Sequence, residues 1–290
     1  MSTRSHLSLS LLLVILLPLV MMGCRTVHEA DLFFPRQMPR PPAEAGRDDV
    51  ILHTEDGLEI GGWNVRSPAP RAQLIYFYGN GETVTDSLRR MMWLAQLGQM
   101  DVLCVDYRGY GFSDGTPRIQ SLLDDALLVF DHAATNRTDP HLPMLVFGRS
   151  LGTAAAHHIA AHRPVSGMIL EAPFTSLPDV LKAWNRNLPI PLRWFVRLRP
   201  EASLAGLSPQ PVEAIRTFEQ PLLILHGSED TIIPVSQGKR MYDAAGSIQK
   251  TWCSIPERGH NDLSLNLPEA EAALRDFLEA QGEAREKKKQ

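Results

Sequence analysis

The chain has 290 residues, 44% of them hydrophobic and 21% charged, and carries a formal net charge of −4. That size and balance suit one large globular core; they exclude a wholly disordered chain, and the slight acidity excludes a protein built mainly to bind nucleic acid. Three cysteines, Cys24, Cys104 and Cys253, are too few for a disulfide scaffold.

The first 24 residues stand apart. Arg4 supplies a positive charge, and from Leu7 to Met22 the chain reads LSLSLLLVILLPLVMM. The run is shorter and more interrupted than a spanning helix requires and fits a secretory signal peptide over residues 1–23. It closes on Met22-Gly23-Cys24, which resembles the cleavage site of bacterial lipoproteins. That resemblance implies that Cys24 is lipidated, that the protein is exported and membrane-anchored, facing the periplasm or the cell exterior, and that the membrane is a partner through the lipid. Residues 24–47 hold four prolines and no periodicity, so they read as a tether that partly lies on the domain, with Leu32-Phe33-Phe34 as its docking point.

From Val50 the pattern becomes regular. VILHTEDGLEIGGWNV predicts a hairpin turning at Glu55-Asp56-Gly57. Apolar runs follow at Leu74–Tyr78, Val102–Val105, Met144–Phe147, Met168–Leu170 and Leu222–Leu225, as expected of parallel strands buried on both faces. Cys104 and Cys253 fall inside apolar runs and read as small buried hydrophobes. Helical faces lie between the runs: Leu88, Met91, Met92 and Ala95; then Leu122, Ala126, Val129, Phe130 and Ala133. A last helix starts at Pro268 with Ala270, Leu274, Phe277 and Leu278 inward. This alternation predicts a three-layer α/β/α sandwich with right-handed crossovers. It places the main domain at 48–282, followed by a charged tail over 283–290. The interval of about 174–220 is too long for a crossover and rich in Pro, Trp and Phe; it reads as a helical cap over a site. Arg193, Arg197 and Arg199 within it could face anionic headgroups or simply solvent.

The stretch Gly148-Arg149-Ser150-Leu151-Gly152 follows a buried strand and opens a helical pattern. A G-x-S-x-G at a strand-to-helix turn forces the serine into a strained backbone conformation, and a Cβ at either glycine would collide with a neighbouring strand or helix. The reward is an exposed Oγ at a helix N-terminus, where the Leu151 N–H points at a developing oxyanion. A serine needs a base, and the base an orienting carboxylate. HGSEDTIIP supplies Asp230 in preference to Glu229, with Glu171 as the other acid, and RGHNDL supplies His260. Both lie on loops leaving later strands, the edge where such sheets gather their sites. YGNG offers the Asn80 N–H as a second oxyanion donor. His157 is too far along its helix to reach Ser150; His158 and His162 read as a surface pair, and His226 as structural.

Together, YGNG, VDYRGYGFSDGTP, GRSLG, HGSEDTIIP and RGHNDL resemble the α/β-hydrolase superfamily from about residue 50 to 280, and within it the esterase, acyl-protein thioesterase-like and prolyl-oligopeptidase-like branches. One departure is Tyr78-Gly79, where His-Gly is usual. The resemblance implies a mostly parallel eight-stranded sheet and a serine hydrolase of carboxylic esters or thioesters. It would act through an acyl-enzyme on Ser150, His260 and Asp230, with Asn80 and Leu151 as the oxyanion hole. It implies no metal and no organic cofactor, and a small-molecule or lipid-like acyl substrate. Two other readings remain: a serine peptidase of the prolyl-oligopeptidase-like type, and a non-catalytic, membrane-anchored binding lipoprotein.

Overall fold

The computed structural model describes residues 24–42, 46–187, 197–201, 204 and 210–289; the expected signal segment 1–23 and Arg193 lie outside the described residues. Ten strands occur among these. Strand β1 (Cys24–Val27) pairs in parallel with β8 (Arg197–Pro200) in a small separate sheet. The other eight are β2 (Arg47–His53), β3 (Glu59–Val65), β4 (Ala72–Phe77), β5 (Met100–Val105), β6 (Met144–Arg149), β7 (Gly167–Glu171), β9 (Leu222–Gly227) and β10 (Lys250–Ile255). They form one sheet in the order β10-β9-β7-β6-β4-β5-β3-β2. All neighbours are parallel except β3, which runs antiparallel to β2 and β5. The expected hairpin is therefore β2–β3, turning through Gly57 at φ +81°.

Every residue of β4, β5, β6, β7 and β9 is buried. That is why these strands read as continuous apolar runs, since neither face meets water. The helices between them are α1 (Val84–Gly98), α2 (Ile119–Asn136), α3 (Gly152–His162), α4 (Leu177–Asn187), the short α5 (Pro211–Ala214), α6 (Val235–Ala244) and α7 (Pro268–Lys289). Helix α1 packs with α7 and α2 with α3, so helices flank the sheet as the sandwich requires. The α2 face matches the expectation residue for residue: Leu122, Ala126, Val129, Phe130 and Ala133 are all buried.

The α1 face needs a correction. Its buried stripe is Val84, Ser87, Met91, Leu94 and Ala95, whereas Met92 is 57% exposed. Steps of three and four residues keep one helical face, and Met92 stands about 100° round from Met91. Cys104 is buried as expected, but Cys253 is only half-buried; both are free. The backbone helix of α7 carries through Lys289, so the charged tail continues that helix. Among the described residues no helix is long and apolar enough to cross a membrane.

Between β7 and β9 the chain makes the expected insertion. Helices α4 and α5 in it border the carboxyl edge of the sheet, where the candidate residues lie. Asn185 fastens α4 to β8, accepting from the Leu198 N–H at 2.8 Å and donating to its carbonyl at 2.7 Å. The stretch read as a tether is more ordered in role than that word suggests. Phe33 is buried in the core, β1 extends the insertion, and Gln37 bridges to Gly111.

Candidate active site

The turn between β6 and α3 is built as the glycine pattern demands. Ser150 sits at φ +50°, in the left-handed region. A Cβ on Gly148 would come within 2.6 Å of the Gly152 carbonyl oxygen, and one on Gly152 within 2.3 Å of the Phe77 carbonyl oxygen. Only glycine lets β6, β4 and α3 meet this closely. The Ser150 N–H is used, donating to the Glu171 carbonyl at 2.9 Å.

The structure brings Ser150, His260 and Asp230 together. His260 Nε2 lies 2.8 Å from Ser150 Oγ, and Nδ1 lies 2.7 Å from Asp230 Oδ2. An ionised carboxylate can only accept, so the imidazole proton belongs on Nδ1 and Nε2 is left to accept the serine O–H. Asp230 Oδ1 takes the N–H groups of Ile232 at 2.9 Å and Ile233 at 2.7 Å. Burial by itself would raise this carboxyl; the hydrogen bonds from His226 and His260 outweigh it and hold Asp230 well below the usual carboxylate range. His226 is fully buried and donates from Nε2 to the Ile233 carbonyl at 2.8 Å, 3.5 Å from Asp230 Oδ2. Its structural role is thus specific: it pins the loop that carries the acid.

Glu171, the other acid considered, is committed elsewhere. Its Oε1 accepts from Arg149 Nε at 3.0 Å and its Oε2 from Arg90. Arg149 also donates to Glu82 and, through Nη2, to the His260 carbonyl at 3.0 Å. This buried guanidinium therefore ties the serine turn, the loop after β4 and the histidine loop into one unit. It also explains Gly79, where a Cβ would fall 2.6 Å from Arg149 Nη1. Arg149, Glu82 and Arg90 were missed in the sequence, although there was a signal: an arginine inside the glycine turn and a glutamate ending a buried strand both need charged partners.

Asn80 and Leu151 both line the cavity beside Ser150, and neither backbone N–H has a hydrogen-bond partner among the described residues. The usual histidine before Gly79 is replaced by a buried tyrosine with work of its own. Tyr78 O–H donates to Asp106 Oδ1 at 2.8 Å and accepts the Tyr107 N–H at 3.0 Å. Asp106 also takes the Val84 N–H at 2.7 Å, at the start of α1. Burial pushes its carboxyl up to about 6, against the pull of those hydrogen bonds.

The serine opens into a cavity of about 400 Å³. Its wall runs along α3 from Leu151 through Ala154 and His158 to Ala161, roughly 15 Å at 1.5 Å per residue. Apolar side chains from α2, α4 and α5 complete it, among them Ile119, Leu123, Leu177, Val180 and Pro211. His157 also lines it; burial alone lowers that imidazole to about 3, so it is neutral. The His158 and His162 rings lie 4.2 Å apart, tilted at 38°, and His158 borders the cavity, so the pair is not wholly a surface feature. Among the described residues no group of His, Cys, Asp and Glu is placed to hold a metal ion.

Sheet order, serine turn and cap are those of an α/β hydrolase. Comparison with known proteins agrees. The sequence family described as "Serine aminopeptidase, S33" matches residues 68–214, and the chain belongs to this family of α/β hydrolases. An uncharacterized protein of Mycobacterium tuberculosis is 31% identical over 239 residues, 81% of this chain and 80% of that protein. The lysophosphatidylserine lipase ABHD12 of Macaca fascicularis is 33% identical over 186 residues, 60% of this chain but 45% of the lipase. The Pyrococcus furiosus esterase Pf2001 shares the fold at a TM-score of 0.67 and 16% identity, over 86% of this chain and 97% of that one.

Proposed function

We propose that this α/β hydrolase cleaves carboxylic esters of lipophilic acids through an acyl-enzyme on Ser150. The observation that carries the reading is the unbroken chain from Ser150 Oγ through His260 to Asp230, opening on an apolar cavity. Ser150 Oγ attacks the acyl carbonyl as His260 Nε2 takes its proton. Asp230, fixed as an anion, stabilises the imidazolium and holds its tautomer. The Asn80 and Leu151 N–H groups receive the oxyanion. The C–O bond then breaks, and the alcohol leaves with the proton from His260. Water, deprotonated by His260, releases the acid and restores the serine.

Two observations favour an ester over the other readings. The cavity lining is mainly apolar, with His157 and His158 on α3 among its polar members, which suits an acyl chain. The family's description favours an aminopeptidase instead, but no Asp or Glu lies among the described lining residues to hold a substrate ammonium. The similarity to a lysophosphatidylserine lipase also points to lipid-like esters. A signal peptide over 1–23 and a lipid on Cys24 complete the proposal, supported by the Met22-Gly23-Cys24 sequence.

The test is a fluorophosphonate probe with a panel of nitrophenyl esters, a thioester and an aminoacyl anilide. Wild type should be labelled and turn over the esters fastest, and Ser150→Ala should do neither. Equal labelling of both proteins would sink the proposal; preference for the anilide would replace it with a peptidase.

A further inference from the structure

Residues 28–38, ahead of β2, do more than connect. Glu29 Oε1 accepts the Ile119 N–H at 2.6 Å, at the start of α2. Phe33 is buried in the core, Arg36 pairs with Asp86 in the first turn of α1, and the Met38 N–H donates to the Gly111 carbonyl at 2.6 Å. Between these fixings the strap crosses the loop that carries Asn80. Asn80 Nδ2 donates to the Leu32 carbonyl at 2.6 Å, and its Oδ1 accepts the Phe34 N–H at 3.0 Å and the Tyr110 O–H at 2.7 Å. The Phe34 N–H is also 2.9 Å from the Tyr110 hydroxyl, which closes a triangle. Leu32 and Phe34 line the cavity.

We infer that the N-terminal strap, residues 28–38, is a working part of the active site. It positions the Asn80 N–H through the Asn80 side chain, and it walls the acyl cavity with Leu32 and Phe34. The inference rests on the ester-hydrolase reading and adds positioning and specificity residues to it. The physical reason is the loop itself. Asn80 lies between Gly79 and Gly81, the second at φ +79°, so the backbone on either side of it is permissive. An oxyanion donor acts only when held to within a fraction of an ångström. The side-chain amide, satisfied by the strap and Tyr110, supplies the constraint that the glycines do not. The strap lies outside the residues 68–214 matched by the family, so this constraint comes from a part of the chain beyond that match.

The experiment measures kcat and KM of the full chain on nitrophenyl butyrate and decanoate. The set is wild type, Asn80→Ala, Asn80→Asp, Glu29→Ala, the Asn80→Ala/Glu29→Ala double and Phe34→Ala. Asn80→Ala should lower kcat about 10- to 100-fold on both esters with little change in KM. Asn80→Asp, which keeps the acceptor for Phe34 and Tyr110, should recover part of the loss. Glu29→Ala loosens the strap far from the reacting atoms and should lower kcat less. The double variant should be no worse than Asn80→Ala, because both act through one contact. Phe34→Ala should raise KM for decanoate more than for butyrate. A folded Asn80→Ala that keeps wild-type kcat, or losses that multiply in the double variant, overturns the inference while leaving the hydrolase intact. If Asn80→Ala does not fold, Glu29→Ala alone decides: unchanged kcat overturns it. A wild type inert to both esters and to the fluorophosphonate instead overturns the hydrolase reading, and the strap's role with it.

Discussion

The two flanks of the site each hold a buried aspartate in a cradle of backbone N–H groups, and the two titrate in opposite directions. On the β9 side, Asp230 takes Ile232 and Ile233 N–H and faces two histidines, and its carboxyl is held low. On the β5 side, Asp106 takes Val84 and Phe112 N–H and the Tyr78 hydroxyl, and its carboxyl is pushed up to about 6. The difference lies in the partners. An imidazole can carry the positive charge that a buried carboxylate lacks, whereas three neutral donors do not offset the desolvation. Asp230 is therefore a standing anion suited to a base that must charge. Asp106 is a pin holding the loop before α1, and its ionisation costs stability.

The comparison can be broken at several points. The largest effect is expected from Ser150→Ala, which should remove about 10⁶-fold of kcat in ester turnover. Asp230→Asn should cost roughly 10⁴-fold in kcat, since the histidine loses its tautomer, while Asp106→Asn should leave most of it. Arg149→Met leaves Glu171 and Glu82 short of a partner. Breaking a buried pair in this way costs about 3–5 kcal/mol, readable by urea unfolding.

Stability against pH sharpens the contrast, because the signs differ. The stability lent by Asp230 is fully present above its ordinary value of 3.8 and is lost as pH falls through its lowered native value, so wild type and Asp230→Asn should converge in acid. For Asp106 the native state binds its proton more tightly than the unfolded state. Wild type should therefore lose stability relative to Asp106→Asn as pH rises from 3.8 through about 6. Melting temperatures below pH 3.8 test Asp230 and those from 3.8 to above 6 test Asp106; curves parallel to wild type in its own window would refute either assignment. The smallest expected effect on catalysis is that of Cys24→Ala, which tests the proposed lipidation: it should leave soluble-ester turnover unchanged and, on that proposal, shift the protein out of the membrane fraction.

Much of this was legible in the chain because local rules wrote it there. Strands buried on both faces must be apolar throughout, so β4, β5, β6, β7 and β9 announced themselves. A serine turn that tolerates no Cβ on either side must be fenced by glycine, so Gly148 and Gly152 marked Ser150. Asp230 and His260 followed from their places after late strands. Other features were not legible because they depend on distant segments meeting. Asp106 and Tyr78 become partners across two strands, and Arg149 finds Glu82, Glu171 and the His260 carbonyl from two loops and the end of β7. Met92 failed for the opposite reason: a face one residue too wide looks the same in sequence until neighbours decide which side is covered.

By itself the sequence determined the layered fold, the strained serine turn and the residue types of the candidate site, since each follows from periodicity or sterics within a few residues. Only the tertiary structure showed that Asp230, the acid the sequence prefers, meets the histidine, and that a proline-rich segment wraps round to hold the Asn80 loop. Those outcomes turn on desolvation and hydrogen bonding between groups 30 to 50 positions apart, and no local pattern encodes which buried charge or amide will find which partner.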